Sequence, residues 1–264
     1  DRCAILPVAA AAHAQGAPVK LAAGNLCVAR GGVLVLHDLD VELDTGQIIA
    51  ICGPNGAGKS SLLSSLAGLL EAEAGRVMFG DQELAKIPLA ERAREIGYLP
   101  QSAQVAWDVA VENLVRLGRM PHRDRGDEAV ERAIAAMDLD ELRTRPASRL
   151  SGGEKARVLL ARVLAGEPQW IFADEPLSAL DLSHQLALLH QLRASADEDC
   201  GIVLVLHDLA MAMNHADRVL VLKEGRLVAD GPPQTSLAQE TIADVWGVTA
   251  HWLGEPGARA LVAS

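Results

Sequence analysis

Gly53-Pro-Asn-Gly-Ala-Gly-Lys59-Ser60 follows the run Gln47-Ile-Ile-Ala-Ile-Cys52 and opens the helical pattern Ser61–Leu70. Strand, glycine-rich loop and helix, in that order, are the setting a phosphate-binding loop requires. The glycines let backbone N–H groups turn inward around a polyphosphate, and the helix N-terminus adds partial positive charge. In this reading Lys59 bridges the β- and γ-phosphates, and the Ser60 hydroxyl ligates Mg²⁺. Gly53, Pro54, Asn55, Gly56, Ala57, Gly58, Lys59, Ser60 and Ser61 make up the expected cradle. An ordinary glycine-rich turn would not match every fixed position with both flanks correct. The chain is therefore expected to bind a nucleoside triphosphate.

Length and composition bound the rest. The 264 residues are 50% hydrophobic and carry a formal net charge of −11. That length suits one large domain, or a core with a subdomain. So acidic a chain is a poor partner for polyanions, which argues against nucleic acid and anionic lipid. No apolar run approaches the roughly 20 residues that cross a bilayer, so any membrane association is expected to go through another protein. Cys3, Cys27, Cys52 and Cys200 have no metal-type spacing and read as free thiols in a reducing compartment. His184 and His190 sit on a predicted helix but off a common face, which disfavours a metal site. Residues 1–18 hold a short apolar centre and an Ala12-His13-Ala14 that imitates a cleavage site, without a positively charged flank. They read as a disordered tail or a misplaced start, with a targeting role as the alternative.

Periodicity supplies the organisation. Short strands are expected at Val19–Leu26, Val33–Leu36 and Leu39–Leu43, with Gly31-Gly32 as a hairpin turn. Arg76–Phe79 and Ile96–Leu99 read as further strands. From about Ala103 to Ser148, Val130, Ile134 and Met137 recur at helical spacing and predict a helical insertion. Strand and helix then alternate: Trp170–Ala173, Ser183–Ala196, Ile202–Leu206 and Asp208–Ala216. A hairpin follows through Lys223-Glu-Gly-Arg226. Such alternation implies a parallel sheet with helices on both faces. The expected fold class is therefore α/β: a phosphate-loop NTPase core with an N-terminal antiparallel β subdomain and a helical subdomain at about 103–165, all within 19–264.

Two further stretches carry chemistry. Trp170-Ile-Phe-Ala-Asp174-Glu175-Pro176 is an apolar strand ending in two carboxylates. Parallel strands present their carboxyl ends to the ligand crevice, so both acids arrive beside the phosphates. Asp174 is the expected Mg²⁺ partner, and Glu175 is placed to take a proton from the attacking water. Leu150-Ser-Gly-Gly-Glu154 has the form of a capping box at the start of the helix Lys155–Leu164. Capping alone leaves its glycines unexplained, since each weakens a helix by about 1 kcal/mol relative to alanine. Bare backbone through which a phosphate reaches a helix N-terminus does explain them.

With these stretches in order, the chain resembles the nucleotide-binding subunit of an ABC transporter. The match runs through Gly53–Ser60, Gln101 after Tyr98-Leu-Pro100, Leu150–Glu154, Asp174-Glu175, Ser178-Ala-Leu-Asp181 and His207, and covers roughly Val19 to Leu253. The resemblance implies that Gln101 contacts Mg²⁺ and the attacking water, and that His207 contacts the γ-phosphate and orients Glu175. It implies that Asp181 couples two active sites. It also implies a head-to-tail homodimer in which Ser151, Gly152 and Gly153 face the partner's ATP. Two transmembrane permease subunits and a periplasmic substrate-binding protein would complete the system at the cytoplasmic face of the membrane. The family usually stacks an aromatic residue on adenine. Cys27-Val-Ala-Arg30-Gly-Gly32 has none, which leaves stacking by Arg30 or apolar contact from Val28 and Val35.

The segments Trp107–Leu114, Leu117–His122 and Asp230 to Val248 are similar to importer subunits for ferric siderophores, haem or cobalamin. Molybdate importers and non-transport ABC ATPases acting on a soluble partner stand as alternatives. The single domain and short spacing between Ser60 and Leu150 do not fit the tandem or coiled-coil forms of the latter.

Overall fold

The computed structural model describes residues 19–101, 108–178 and 180–263. The expectations for residues 1–18, for Trp107 and for the start of the helical insertion fall outside them. Strands β1 (Leu21–Arg30) and β2 (Val33–Leu43) pair antiparallel across the Gly31-Gly32 turn. Each is longer than the sequence pattern suggested, because Asn25 and Asp38 break the alternation. Both take a left-handed backbone, and the register shifts around them. Asn25 binds the side chains of Asp40 and Asp38, which satisfies the bulge without ending either strand.

The chain then enters β3 (Ile48–Cys52), the phosphate loop and α1 (Lys59–Leu66). Strands β4 (Ala74–Phe79) and β5 (Gln82–Glu83) return to the antiparallel sheet, whose order is β2-β1-β4-β5. Next come α2 (Leu89–Glu95), β6 (Ile96–Leu99) and a helical stretch of α3 (Val111–Arg116), α4 (Asp127–Ala136) and α5 (Gly152–Ala165). The helix after Leu150 starts at Gly152, three residues before the expected Lys155, because both glycines join its first turn.

The second half alternates β7 (Trp170–Asp174), α6 (Leu182–Asp197), β8 (Gly201–Val205), α7 (Leu209–His215) and β9 (Arg218–Lys223). It continues through β10 (Arg226–Gly231), α8 (Pro233–Ser236), α9 (Gln239–Trp246) and the hairpin β11 (Ala250–Leu253) with β12 (Ala260–Ala263). The central sheet runs β10-β9-β3-β8-β7-β6; all its pairs are parallel except β10 with β9.

Side-chain alternation divides that sheet into two cores. Ile49, Ile51, Trp170, Phe172, Val203 and Val205 pack against α1 and the antiparallel sheet. Ile48, Ala50, Ile171, Ala173, Ile202 and Leu204 pack against the helices on the opposite face. Strands buried on both faces read as continuous apolar runs, which is why they were legible. The helical stretch joins the second core through Val111, Leu114, Val130, Ile134 and Val158. It is pinned where Gly118, in the short helical segment Leu117–His122, crosses α5. A Cβ there would stand 2.0 Å from the Arg162 carbonyl oxygen. Gly118→Ala is therefore expected to destabilise the protein by about 1–3 kcal/mol, read as a fall in Tm of about 2–4 °C per kcal/mol. An unchanged Tm would show that the crossing is loose.

Candidate active site

The carboxyl ends of β3 and β7 lie on either side of β8 and bring the phosphate loop beside two acids. Gly53 opens the loop with φ 150°, and a Cβ on it would sit 2.3 Å from the Leu222 carbonyl oxygen on β9. Only glycine allows that approach. Behind the loop, Gly225 donates its N–H to the Ala57 carbonyl at 3.1 Å and accepts from the His37 N–H at 2.9 Å. This brace, in what the sequence marked only as a hairpin turn, ties the phosphate loop to β2. Sequence reasoning missed it, because a backbone donor carries no side-chain signature.

In front of the loop lies a cavity of about 260 Å³ lined by Val35, Asn55, Gly56, Gly58, Lys59, Ser60, Ser61, Glu175 and His207. Lys59 is 5% exposed and donates to the Gly53 and Pro54 carbonyls at 2.9 Å each. Ser60 Oγ donates to Asp174 Oδ1 at 3.1 Å. Hard oxygen donors from a hydroxyl and a carboxylate, side by side, suit Mg²⁺. Burial acts against both buried charges. It lowers the Lys59 pKa, although Glu175, Cys52 and Asp174 oppose it. It raises the Asp174 pKa, and the negative Glu175 adds to that rise against Ser60, Lys59 and His207. Burial also pushes the Cys52 thiol up to about 12.

Glu175 has φ 51°, a left-handed conformation in a non-glycine residue. Such a conformation costs of order 1–3 kcal/mol and persists where the surroundings over-determine it. Its carboxylate is fixed at both oxygens. Gln101 Nε2 donates to Oε2 at 2.7 Å, and His207 Nε2 lies 2.5 Å from Oε1. Two of its roughly four acceptor positions are thus used, leaving others for a water molecule.

The remaining expected residues lie elsewhere. Arg30 is absent from the described lining of the cavity, and Val28 is fully buried in the core, so of the three base-contact candidates only Val35 borders it. Ser151, Gly152, Gly153 and Asp181 also lie outside that lining. Ser151 makes a complete capping box with Glu154. A Cβ on exposed Gly152 would meet nothing within 4 Å. Asp181 caps α6, accepting from Ser183 Oγ, His184 N–H and His184 Nδ1, and its pKa falls to about 2 with the His184 N–H bond as the leading cause.

Residues 36–178 match the family described as ABC transporter. Two curated relatives are each named hemin import ATP-binding protein HmuV. The one from Pseudomonas fluorescens is 45% identical over 85% of this chain and 91% of its own length. The one from Streptomyces coelicolor is 43% identical over 92% and 89%. The chain belongs to the ABC transporter family. It is an ATP-binding ABC ATPase. Its fold is shared with a bacterial Atm1-family ABC exporter solved with ATP bound (25% identity, TM-score 0.77, 92% of this chain and 43% of that one).

A buried acid whose pKa is raised stabilises the fold at low pH, where it is protonated, and loses that contribution as pH rises through its folded value. Above that range the Asp174 charge opposes folding. Asp174→Asn is therefore expected to raise the Tm of the nucleotide-free ATPase at pH 7, by an amount that shrinks as pH falls into the carboxylate range. The same change should remove Mg-dependent phosphate release. A lower Tm at pH 7 would contradict the burial argument.

Proposed function

We propose that this ABC ATPase energises an importer for hemin or a related iron complex, working as a homodimer beneath two permease subunits. The observation that carries this reading is the 43–45% identity, over most of both chains, to hemin import ATP-binding proteins. The fold cannot carry it, since an exporter shares that fold. Among the described residues no helix is long and apolar enough to cross a membrane, which fits attachment at the cytoplasmic face through the permease. In this reading residues 19–264 form the nucleotide-binding domain, with about 103–165 as its helical subdomain. A periplasmic binding protein delivers the solute, and nucleic acid has no part.

The chemistry assigns each residue a task. ATP lies against the loop amides, with Lys59 turned from the Gly53 and Pro54 carbonyls onto the β- and γ-phosphates. Ser60, Asp174 and Gln101 would hold Mg²⁺, which would supply charge neutralisation for the phosphates. Glu175 accepts the proton of the attacking water, a contribution of about 10²–10⁴-fold for a well-placed base. His207 keeps the carboxylate aimed. Ser151, Gly152 and Gly153 reach the γ-phosphate of the partner subunit, and Asp181 links the two sites. The exposed Gly152 supports this pairing, because nothing among the described residues requires a glycine there.

Two tests follow. Vesicles carrying the chain with its cognate permease should accumulate labelled hemin in the presence of ATP, and the same vesicles with Glu175→Gln should not. Uptake of molybdate but not hemin would reject the solute assignment. Gly152→Ala should leave the Tm unchanged, or raise it through up to about 1 kcal/mol of helix propensity, while abolishing ATP-dependent dimerisation. Full dimerisation in that variant would reject the contact.

A further inference from the structure

We propose that Gln185, in the first turn of α6, is a positioning residue for hydrolysis: it clamps the loop that carries Glu175. The inference rests on Glu175 being the base. Glu175 must hold a left-handed backbone for its carboxylate to lie between Gln101 and His207. A single residue does not keep that conformation unaided; the loop beyond it has to impose it.

The loop is tied at three levels. The Glu175 carbonyl accepts from the Ser178 N–H at 3.2 Å and from Ser178 Oγ at 3.0 Å, closing a tight turn. The Leu180 N–H donates to the Leu177 carbonyl at 3.2 Å, stacking a second turn on the first. Gln185 Nε2 then spans that second turn, donating to the Leu177 carbonyl at 3.0 Å and the Leu180 carbonyl at 3.2 Å. A side-chain amide has two N–H donors, and both are spent on the loop. Asp181 fixes the far end by capping α6. The helix itself is anchored in the core by Leu188, Leu189 and Leu192.

Gln185 is therefore the side chain that transmits the rigidity of α6 to the Glu175 turn. It is absent from the described lining of the nucleotide cavity, so it acts through backbone geometry and not through contact with substrate. Without its donors the Leu177 and Leu180 carbonyls lose their restraint, and the Glu175 turn can relax toward ordinary backbone. A displacement of about 1 Å at a catalytic group can cost on the order of 10² in rate. The phosphate loop lies on β3 and is braced by β2 and the β9–β10 turn, so ATP binding does not depend on this clamp.

The test uses the full chain with Gln185→Met, which keeps length and volume but has no donor, and Gln185→Glu, which places an acceptor against two carbonyls. Each should lower kcat about 10- to 100-fold, with the KM for ATP and the Tm little changed. In a Glu175→Gln background, Gln185→Met should have no further effect on the residual rate, because the base it positions is already gone. Equal multiplicative losses in the two backgrounds would overturn the proposal, as would an unchanged kcat or a loss confined to KM. Wild-type turnover in Glu175→Gln alone would instead overturn the assignment of the base. If Gln185→Met does not fold, Gln185→Glu carries the same cycle.

Discussion

Two opposite charges, Lys59 and Asp174, are buried together at the carboxyl edge of the sheet, and burial disfavours both. Everything around them makes that arrangement tolerable without cancelling it. Lys59 is parked on two loop carbonyls, and Asp174 accepts one hydroxyl. Neither has the dense set of charge-assisted bonds that usually accompanies a buried ion. The phosphates of bound ATP would give Lys59 the anionic partners it lacks. The surrounding β3 and β7 strands, apolar on both faces, hold the charges in place because their cores are satisfied independently of the site.

This separation explains which parts were legible in the sequence. The buried strands announced themselves as apolar runs, and the phosphate loop announced itself through glycines whose backbone could take no other residue, as at Gly53. Asp174 and Glu175 could be located because a strand end in a parallel sheet has only one place to be. The bulges at Asn25 and Asp38 were not readable: a left-handed residue inside a strand shifts the register without altering composition. The fold also sorts the base-contact candidates. Val28 looks available in a list of residues, but strand pairing turns it into the core, while Val35 emerges at the cavity.

Roles that rest on backbone groups or on long-range bonds lay beyond sequence pattern. Gly225 braces the phosphate loop through backbone groups, and a Cβ there would stand 2.5 Å from the Val35 carbonyl oxygen. A hairpin turn in Lys223-Glu-Gly-Arg226 already accounts for a glycine, so the brace went unread. His207 and Gln101 meet on Glu175 from two separate strand ends, and only the fold brings them within 2.7 Å of one carboxylate. Family resemblance could name these two; spacing could not.

The geometry also separates holding ATP from hydrolysing it. Loop, helix N-terminus, lysine and hydroxyl are brought to one cavity by a single chain. Glu175 is held differently, by a left-handed backbone and by bonds to Gln101 and His207 from two other strand ends. A strained residue held by several partners is sensitive to each of them, so a change at Gln101 or His207 would act on Glu175 while the phosphate loop keeps its own brace from Gly225. An ATPase built this way can lose the aim of one carboxylate without losing the loop that receives the nucleotide.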